Sequence, residues 1–210
     1  MTETPIYVLR HGQTEWNVEG RLQGHRDSPL TPHGREQARR MGVALAARLA
    51  SGGVDVAVSP LGRALQTAEI VIGQLNGLAV TWRTDPRLRE IGVGQWEGLT
   101  FSEVVARGVQ FPPDRDDDWF LDAPGAETLE GVVDRIGAFL AQKLDRPLVV
   151  VCHGQTGMLL RGLYMGLSPH EALGLDQPQD AFYQLTQDTE ERISCIAAAG
   201  NTKDNGDEVT

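Results

Sequence analysis

The sequence predicts an α/β protein: a three-layer α/β/α sandwich with a mostly parallel sheet and an antiparallel edge strand. Two observations carry this prediction. Short β-rich apolar runs alternate along the chain with longer stretches of helical periodicity, the pattern of a parallel sheet covered by helices on both faces. Two late strand-like runs, residues 181–186 and 192–198, are separated only by the polar turn 187–191, so they should pair antiparallel at one edge.

Each element has its own signal. Residues 5–9 form a short apolar run and read as the first strand. Thr31-Pro32 is an N-cap followed by proline in the first helical turn. Ala38, Met41, Ala44, Leu45 and Leu49 then carry helical spacing to about residue 50, where Gly52-Gly53 ends the helix. Residues 54–58 are the second strand, Ser59-Pro60 reads as the cap of a helix running to about residue 75, and residues 79–83 are the third strand. Residues 100–108 suit a short helix. Residues 111–126, with Pro112, Pro113, Pro124, Gly125 and the acidic run Asp114, Asp116, Asp117, Asp118, read as a surface excursion that would make an acidic lid if it covers the site. From 127 to 144, Leu129, Val132, Val133, Ile136, Phe139 and Leu140 recur at three-to-four spacing and mark an amphipathic helix. Residues 147–152 are a buried strand, followed by a helix over about 156–165.

Composition limits the classes available. The chain has 210 residues, 40% of them apolar, which favours one domain (residues 1–199) with a polar, disordered tail over 200–210. The 24 Gly and 11 Pro are too few for a low-complexity chain. The apolar run 148–152 is far below the ~20 residues that cross a bilayer, and residues 1–10 lack a signal-peptide pattern, so no membrane partner is expected. The two cysteines, Cys152 and Cys195, fit neither a metal nor a disulfide pattern, and the expected compartment is the cytoplasm. A net charge of −10 disfavours nucleic acid but allows a small anion in a local basic pocket.

In open α/β sheets ligands bind beyond the carboxyl ends of the strands. The first strand ends at Arg10-His11-Gly12, the second just before Ser59-Pro60-Leu61-Gly62-Arg63, and the 147–152 strand at His153-Gly154. Two arginines and two histidines therefore point at one crevice. Bidentate guanidinium groups and compact N–H donors suit a phosphate dianion. A neutral imidazole is also a nucleophile toward phosphorus, provided that one ring nitrogen is free and the other is fixed, a task within reach of the backbone near Gly12. Reaction further needs an acid for the leaving oxygen, and Glu90 is the best placed carboxyl. The helix start after Gly154, Gln155-Thr156-Gly157, offers N–H groups to an anion.

Five ordered blocks in this sequence resemble the histidine phosphatase superfamily, the phosphoglycerate mutase-like proteins. They are Arg10-His11-Gly12-Gln13-Thr14-Glu15-Trp16-Asn17, Ser59 to Ala68, Glu90-Ile91 with Gly94-Gln95-Trp96-Glu97-Gly98, Pro124 to Thr128, and Cys152-His153-Gly154. A lone Arg-His-Gly is weak evidence, since chance supplies it about once in forty chains of this length; five blocks in order are strong evidence. The resemblance implies that His11 becomes phosphohistidine and that Arg10, Arg63 and His153 clamp the transferring group. It further implies that Asn17 and Gln23 are additional donors, with Gly154 and Gln155 beside them, and that Glu90 is the proton donor. It implies no metal and no cofactor.

The function expected is hydrolysis of a small phosphorylated metabolite through a phosphohistidine. The short segment after Glu90 favours phosphatase over mutase, because a mutase is expected to carry a longer basic and aromatic insertion there. Phosphoglycerate mutase-type transfer and a non-catalytic phosphate-binding module are the alternatives. The expected partner is a small phosphorylated substrate, and a homo-oligomer stays open. His25, His33 and His170 read as structural or exposed, with His25 nearest the site. Trp16, Trp96 and Trp119 are candidates for the mouth, with plain packing as the alternative. A thiolate phosphatase would want arginine six residues after Cys152, where Met158 stands, so Cys152 reads as a buried thiol.

Overall fold

The computed structural model describes residues 4–49, 52–111, 118–187 and 189–195. The strands are β1 (Ile6–Arg10), β2 (Gly53–Val58), β3 (Ala79–Thr84), β4 (Leu148–Cys152), β5 (Ala181–Thr186) and β6 (Thr189–Ser194). The α-helices are α1 (Glu15–Glu19), α2 (Pro32–Arg48), α3 (Gly62–Ile72), α4 (Phe101–Ala106), α5 (Leu129–Leu140), α6 (Gly154–Tyr164) and α7 (Pro169–Leu173). The six strands form one sheet in the order β3-β2-β4-β1-β5-β6. The pairs β2–β3, β2–β4 and β1–β4 are parallel, whereas β5 runs antiparallel to both β1 and β6. The expected sandwich is present, with its antiparallel pair at the edge.

Period-two alternation divides the strands between two cores. Ile6, Val8, Leu148, Val150 and Cys152 face α5, α6 and α7, where they meet Val132, Ile136, Phe139, Leu159 and Leu160. Tyr7, Leu9, Val54, Val56, Val58, Val149 and Val151 face α2 and α3, against Met41, Leu45, Ala64, Ala68 and Val71. Every residue of β4 is buried, which is why Leu148 to Cys152 is a continuous apolar run rather than an alternating one. Burying each of its valines contributes about 1.5–3 kcal/mol.

Several boundaries differ from the sequence prediction for physical reasons. The helix expected from Ser59 begins at Gly62, and its first N–H groups are served by a distant carboxylate rather than by a local cap: Asp27 accepts from Gly62 N at 2.6 Å and from Arg63 N at 3.2 Å. Strand β6 starts at Thr189, three residues before the expected 192. Its charged run Glu190-Glu191-Arg192 is unlike an interior strand but suits an edge. The stretch 111–126 is not wholly a surface excursion. Phe120 and Ala123 are buried, and residues 119–122 form a 3-10 turn. The acidic positions 114, 116 and 117, the end of the late strand expected at 196–198 and the tail 200–210 lie outside the described residues. Helices α1 and α7, five residues each, were too short to show periodicity.

The turn after β1 packs unusually closely. A Cβ on Gly12 would lie 2.2 Å from the carbonyl oxygen of Gly34, and one on Gly34 would lie 2.0 Å from the carbonyl oxygen of Gln13. Two glycines let the start of α2 close on this turn, which sets where His11 stands.

Candidate active site

The carboxyl ends of β1, β2 and β4 meet at a cavity of about 160 Å³. Among the described residues, its lining includes Arg10, His11, Asn17, Gln23, Arg63, Glu90 and Gln155. His153 and Gly154 line a smaller space that shares Arg10 and Gln177 with the main cavity. All nine residues singled out in the sequence therefore border one region of the molecule.

His11 is 2% exposed, and both of its ring nitrogens are engaged. Nδ1 lies 2.8 Å from the carbonyl oxygen of Gly12, the backbone group that the sequence pointed to. Nε of Arg63 donates to Nε2 at 3.2 Å. A carbonyl can only accept and a guanidinium can only donate, so both contacts require the tautomer with hydrogen on Nδ1 and a lone pair on Nε2. Burial, then the charges of Arg63 and Arg10, hold the His11 pKa well below the ordinary imidazole value against the opposing Gly12 hydrogen bond. The ring is neutral, as a nucleophile must be.

His153 stands beside it, with ring centroids 5.2 Å apart, and is fully buried. Its pKa is depressed by burial first, then by Arg63, His11 and Arg10. Its Nε2 lies 2.7 Å from Ser59 Oγ, so the serine expected to cap a helix instead orients this imidazole.

Arg63 is 1% exposed although it carries a charge. Its Nη1 donates to the carbonyl of Arg26 at 2.7 Å and to Asp27 Oδ1 at 2.9 Å, and its Nη2 donates to the carbonyl of Gly24 at 2.9 Å. The loop 24–27 thus wraps the guanidinium and leaves Nε for the imidazole. Arg10 is held by Nη1 donating to the carbonyl of Gln177 at 2.5 Å. Arg10 Nε, His153 Nδ1 and Gln23 Oε1 are buried with no hydrogen-bond partner among the described residues. Such atoms are costly unless a ligand satisfies them, and three of them border this one site.

Glu90 lies at the N-terminus of α6. Its Oε1 accepts from Ile91 N at 3.0 Å and Thr156 N at 3.1 Å and lies 3.2 Å from Thr156 Oγ1, which donates to the Arg89 carbonyl at 2.7 Å, whereas among the described residues Oε2 is met by Gln155 N at 3.3 Å. The anion that meets the N–H groups of Gln155 and Thr156 is therefore this carboxylate. Gly154 packs against the amide end of the Gln177 side chain, which a Cβ there would displace. Asn17 Oδ1 accepts from Thr14 N at 3.0 Å and from Gln179 Nε2 at 3.2 Å, which turns its amide N–H₂ away from both donors. Gln179 also donates to the carbonyl of His11 at 3.0 Å.

Sequence reasoning missed the parts that Asp27, Ser59, Gln177 and Gln179 play at this site, and His25 has more than a bland role there. His25 Nε2 lies 3.0 Å from the carbonyl oxygen of Glu90 and 3.5 Å from Glu127 Oε2. Its pKa is raised, chiefly by the hydrogen bond to Glu127. Burial pushes the Glu127 carboxyl up, but hydrogen bonds from His25 and from Gly92 N–H, with the charge of Arg135, outweigh it and hold the group at about 2. The three tryptophans do not line the cavity: Trp96 and Trp119 pack with Phe101 and Phe111, and the aromatic ring in the wall is Phe120. The Cys152 thiol is fully buried and pushed up to about 12 by burial, so it is inert. The described residues contain no cluster of three or more His, Cys, Asp or Glu side chains able to hold a metal, and no helix among them is long and apolar enough to cross a membrane.

The model of the histidine phosphatase superfamily (branch 1) matches residues 6–195. The chain belongs to this superfamily. It is 37% identical over 158 residues to the probable phosphoglycerate mutase GpmB of Salmonella paratyphi C (strain RKS4594), a match covering 71% of this chain and 69% of that one. Among solved structures, a mycobacterial glucosyl-3-phosphoglycerate phosphatase in complex with VO3 is similar at a TM-score of 0.68 and 31% identity, covering 87% of this chain and 91% of the other. Bacillus stearothermophilus YhfR is similar at 0.69 and 29%, covering 93% and 98%. Relatives in the superfamily thus carry both phosphatase and mutase names.

Proposed function

We propose that this chain is a phosphomonoester hydrolase that works through a phosphohistidine at His11. The observation that carries this reading is the neutral His11 ring, its Nε2 lone pair set by two hydrogen bonds and directed at the guanidinium of Arg63. In the first step Nε2 bonds to phosphorus while the ester P–O bond breaks, and the leaving alkoxide takes a proton from the acid form of Glu90. Oε2 is the oxygen that carries this proton, because Oε1 already accepts from the N–H groups of Ile91 and Thr156. Arg10, Arg63 and His153 Nδ1 hold the phosphoryl oxygens, and Asn17 adds its amide, with Gln23 beside it. In the second step water gives a proton to the Glu90 carboxylate, its oxygen bonds to phosphorus, the N–P bond breaks, and inorganic phosphate leaves. The fixed guanidinium groups meet charge where it develops, without reorganising at the moment of reaction.

The test is to quench the protein in mid-turnover with a labelled phosphomonoester. An acid-labile, base-stable adduct on His11, absent in His11→Ala together with turnover, is the expected result. Retained turnover in that variant would refute the nucleophile. The mutase reading is favoured by the name of the GpmB relative. An assay primed with bisphosphoglycerate separates the two, since isomerisation faster than phosphate release supports the mutase. The short segment after Glu90, a 3-10 turn over Gly94–Trp96 and then α4, supports the hydrolase.

A further inference from the structure

Glu90 stands on residues 89–92, which belong to neither helix nor strand. Regular structure therefore does not fix where its carboxyl points. The start of α6 meets the carboxyl itself, and side chains from distant parts of the chain hold the backbone that carries it. Arg135, on α5, donates through Nη1 to the carbonyl of Arg87 at 2.6 Å and to that of Arg89 at 2.9 Å. His25 Nε2 lies 3.0 Å from the carbonyl oxygen of Glu90; a carbonyl can only accept, so this nitrogen carries the hydrogen. Gly92 N donates to Glu127 Oε2 at 2.8 Å, and Glu127 N donates back to the Gly92 carbonyl at 2.9 Å.

These contacts converge on one carboxylate. Glu127 Oε1 accepts from Arg135 Nε and Oε2 from Arg135 Nη2, both at 3.2 Å, and Oε2 lies 3.5 Å from His25 Nε2. Two-point pairing fixes the plane of the guanidinium as well as its place. Glu127 thus orients the arginine that holds residues 87 and 89, the imidazole that holds residue 90 and the amide of residue 92. His25 also belongs to the loop 24–27 that wraps the Arg63 guanidinium. Its bond to the Glu90 carbonyl therefore ties the acid to the loop that holds the partner of His11. His25, Glu127 and Arg135 are not among the described lining residues of the cavity, so any effect they have on the reaction passes through Glu90 and this loop.

We infer that Glu127 is a positioning residue for proton transfer: through Arg135, His25 and the Gly92 amide it holds the backbone of Glu90 where its carboxyl meets the leaving oxygen. This inference rests on the hydrolase reading, with Glu90 as its acid, and adds the residue that places that acid.

The test compares kcat/KM, which reads the phosphorylation step, for butyl phosphate and nitrophenyl phosphate; the first leaving group needs a proton and the second does not. Glu127→Gln keeps the size of the side chain and removes the charge that orients Arg135. It is expected to lower the butyl value by about 10–10²-fold, the cost of displacing a reacting group by up to about 1 Å, and the nitrophenyl value far less. In a Glu90→Gln background the same change should have little further effect on the butyl value, because the group it places no longer donates a proton. A second pair of variants covers the case in which Glu127→Gln fails to fold. The side chains of His25 and Glu127 are 35% and 31% exposed, so changing His25 does not hollow the core. His25→Ala should repeat the selective loss, and His25→Gln, which retains an N–H for the Glu90 carbonyl, should restore most of the butyl value. Equal losses for both esters, losses that add to that of Glu90→Gln, or a His25→Gln no better than His25→Ala would each overturn the inference and leave the hydrolase reading standing. A Glu90→Gln variant without selective loss would remove the acid and this inference with it. No phosphate release from any ester overturns the hydrolase reading as well.

Discussion

Arg63 donates its Nε–H to the Nε2 lone pair of His11 across 3.2 Å. That lone pair is the one the proposed reaction offers to phosphorus. A phosphoryl group must therefore enter between the two side chains, with the Nε–H passing from nitrogen to a phosphoryl oxygen. Arg63 sets the tautomer before substrate arrives and neutralises the substrate afterwards.

A lysine cannot do both. An ammonium has no planar fork to reach the carbonyls of Gly24 and Arg26, Asp27 and the imidazole together. Arg63→Lys is expected to lower kcat/KM by about 10²-fold or more, near the loss of one preorganised donor. It should also lower Tm, since each buried acceptor left unpaired costs about 1–3 kcal/mol. Steady-state kinetics and thermal melts of the same preparation check both. A variant with wild-type kcat/KM would remove Arg63 from the phosphoryl clamp.

Gln179 is expected to act as a positioning residue. Its Nε2 donates to the carbonyl of His11 and to Asn17 Oδ1, so it fixes which side of the Asn17 amide faces the cavity. Gln179→Glu replaces that donor with an oxygen facing two oxygens. We expect KM and the inhibition constant of inorganic phosphate to rise together by about 10-fold, the loss of roughly one hydrogen bond to a charged group, with a smaller fall in kcat. Gln179→Met, which removes the donor without adding charge, should lie between. Equal losses in kcat with an unchanged phosphate constant would count against this role.

The sequence displayed Arg10, His11 and His153 because strand ends are where an open α/β sheet binds its ligands, and strands with continuous apolar runs are easy to find. Arg63 was legible for the same reason, standing just past the end of β2. Asp27, Gln177 and Gln179 were not, because they reach the site by tertiary approach: Gln179 contacts a carbonyl 168 positions away in the chain. Ser59 illustrates a second limit. Before Pro60 its hydroxyl suits a helix cap, yet a buried imidazole 94 positions away took it instead. Local propensity stated what the hydroxyl could do, and packing decided between the options.

Glu90 is expected to matter in proportion to the basicity of the leaving group. Glu90→Gln keeps an oxygen to accept from Thr156 and Ile91, so the start of α6 stays capped, but it supplies no proton. For alkyl phosphates kcat/KM, which reads the phosphorylation step, should fall by ~10²–10⁴-fold, and for nitrophenyl phosphate, whose leaving group needs no proton, it should fall far less. Burst kinetics with the activated ester would then show phosphohistidine accumulating, because the same carboxylate is needed to activate water. An equal fall in kcat/KM for both substrates, with no accumulation of phosphohistidine, would remove Glu90 from proton transfer.

Stability should decline as pH falls through the range in which free imidazoles protonate. Burial, reinforced by Arg63 and Arg10, holds the pKa values of His11 and His153 well below 6.5 in the folded protein. Below pH 6.5 the unfolded chain therefore binds protons that the folded one does not, and each ring costs up to about 1.4 kcal/mol per pH unit. The contribution is fully present above pH 6.5 and is lost on acidification. His25 works in the opposite sense: its raised pKa, owed first to the Glu127 hydrogen bond, contributes stability below 6.5 that is lost as pH rises through its folded value. It is half-buried, so it offsets the two buried rings only in part. Urea unfolding at pH 7.5, 6.5 and 5.5 should thus show a net loss on the order of 1 kcal/mol between the last two. His153→Asn should reduce that slope whatever it does to stability at pH 7.5. A stability that holds or rises toward pH 5.5 in the wild-type chain would mean that the buried rings carry charge, and the neutral nucleophile would go with them.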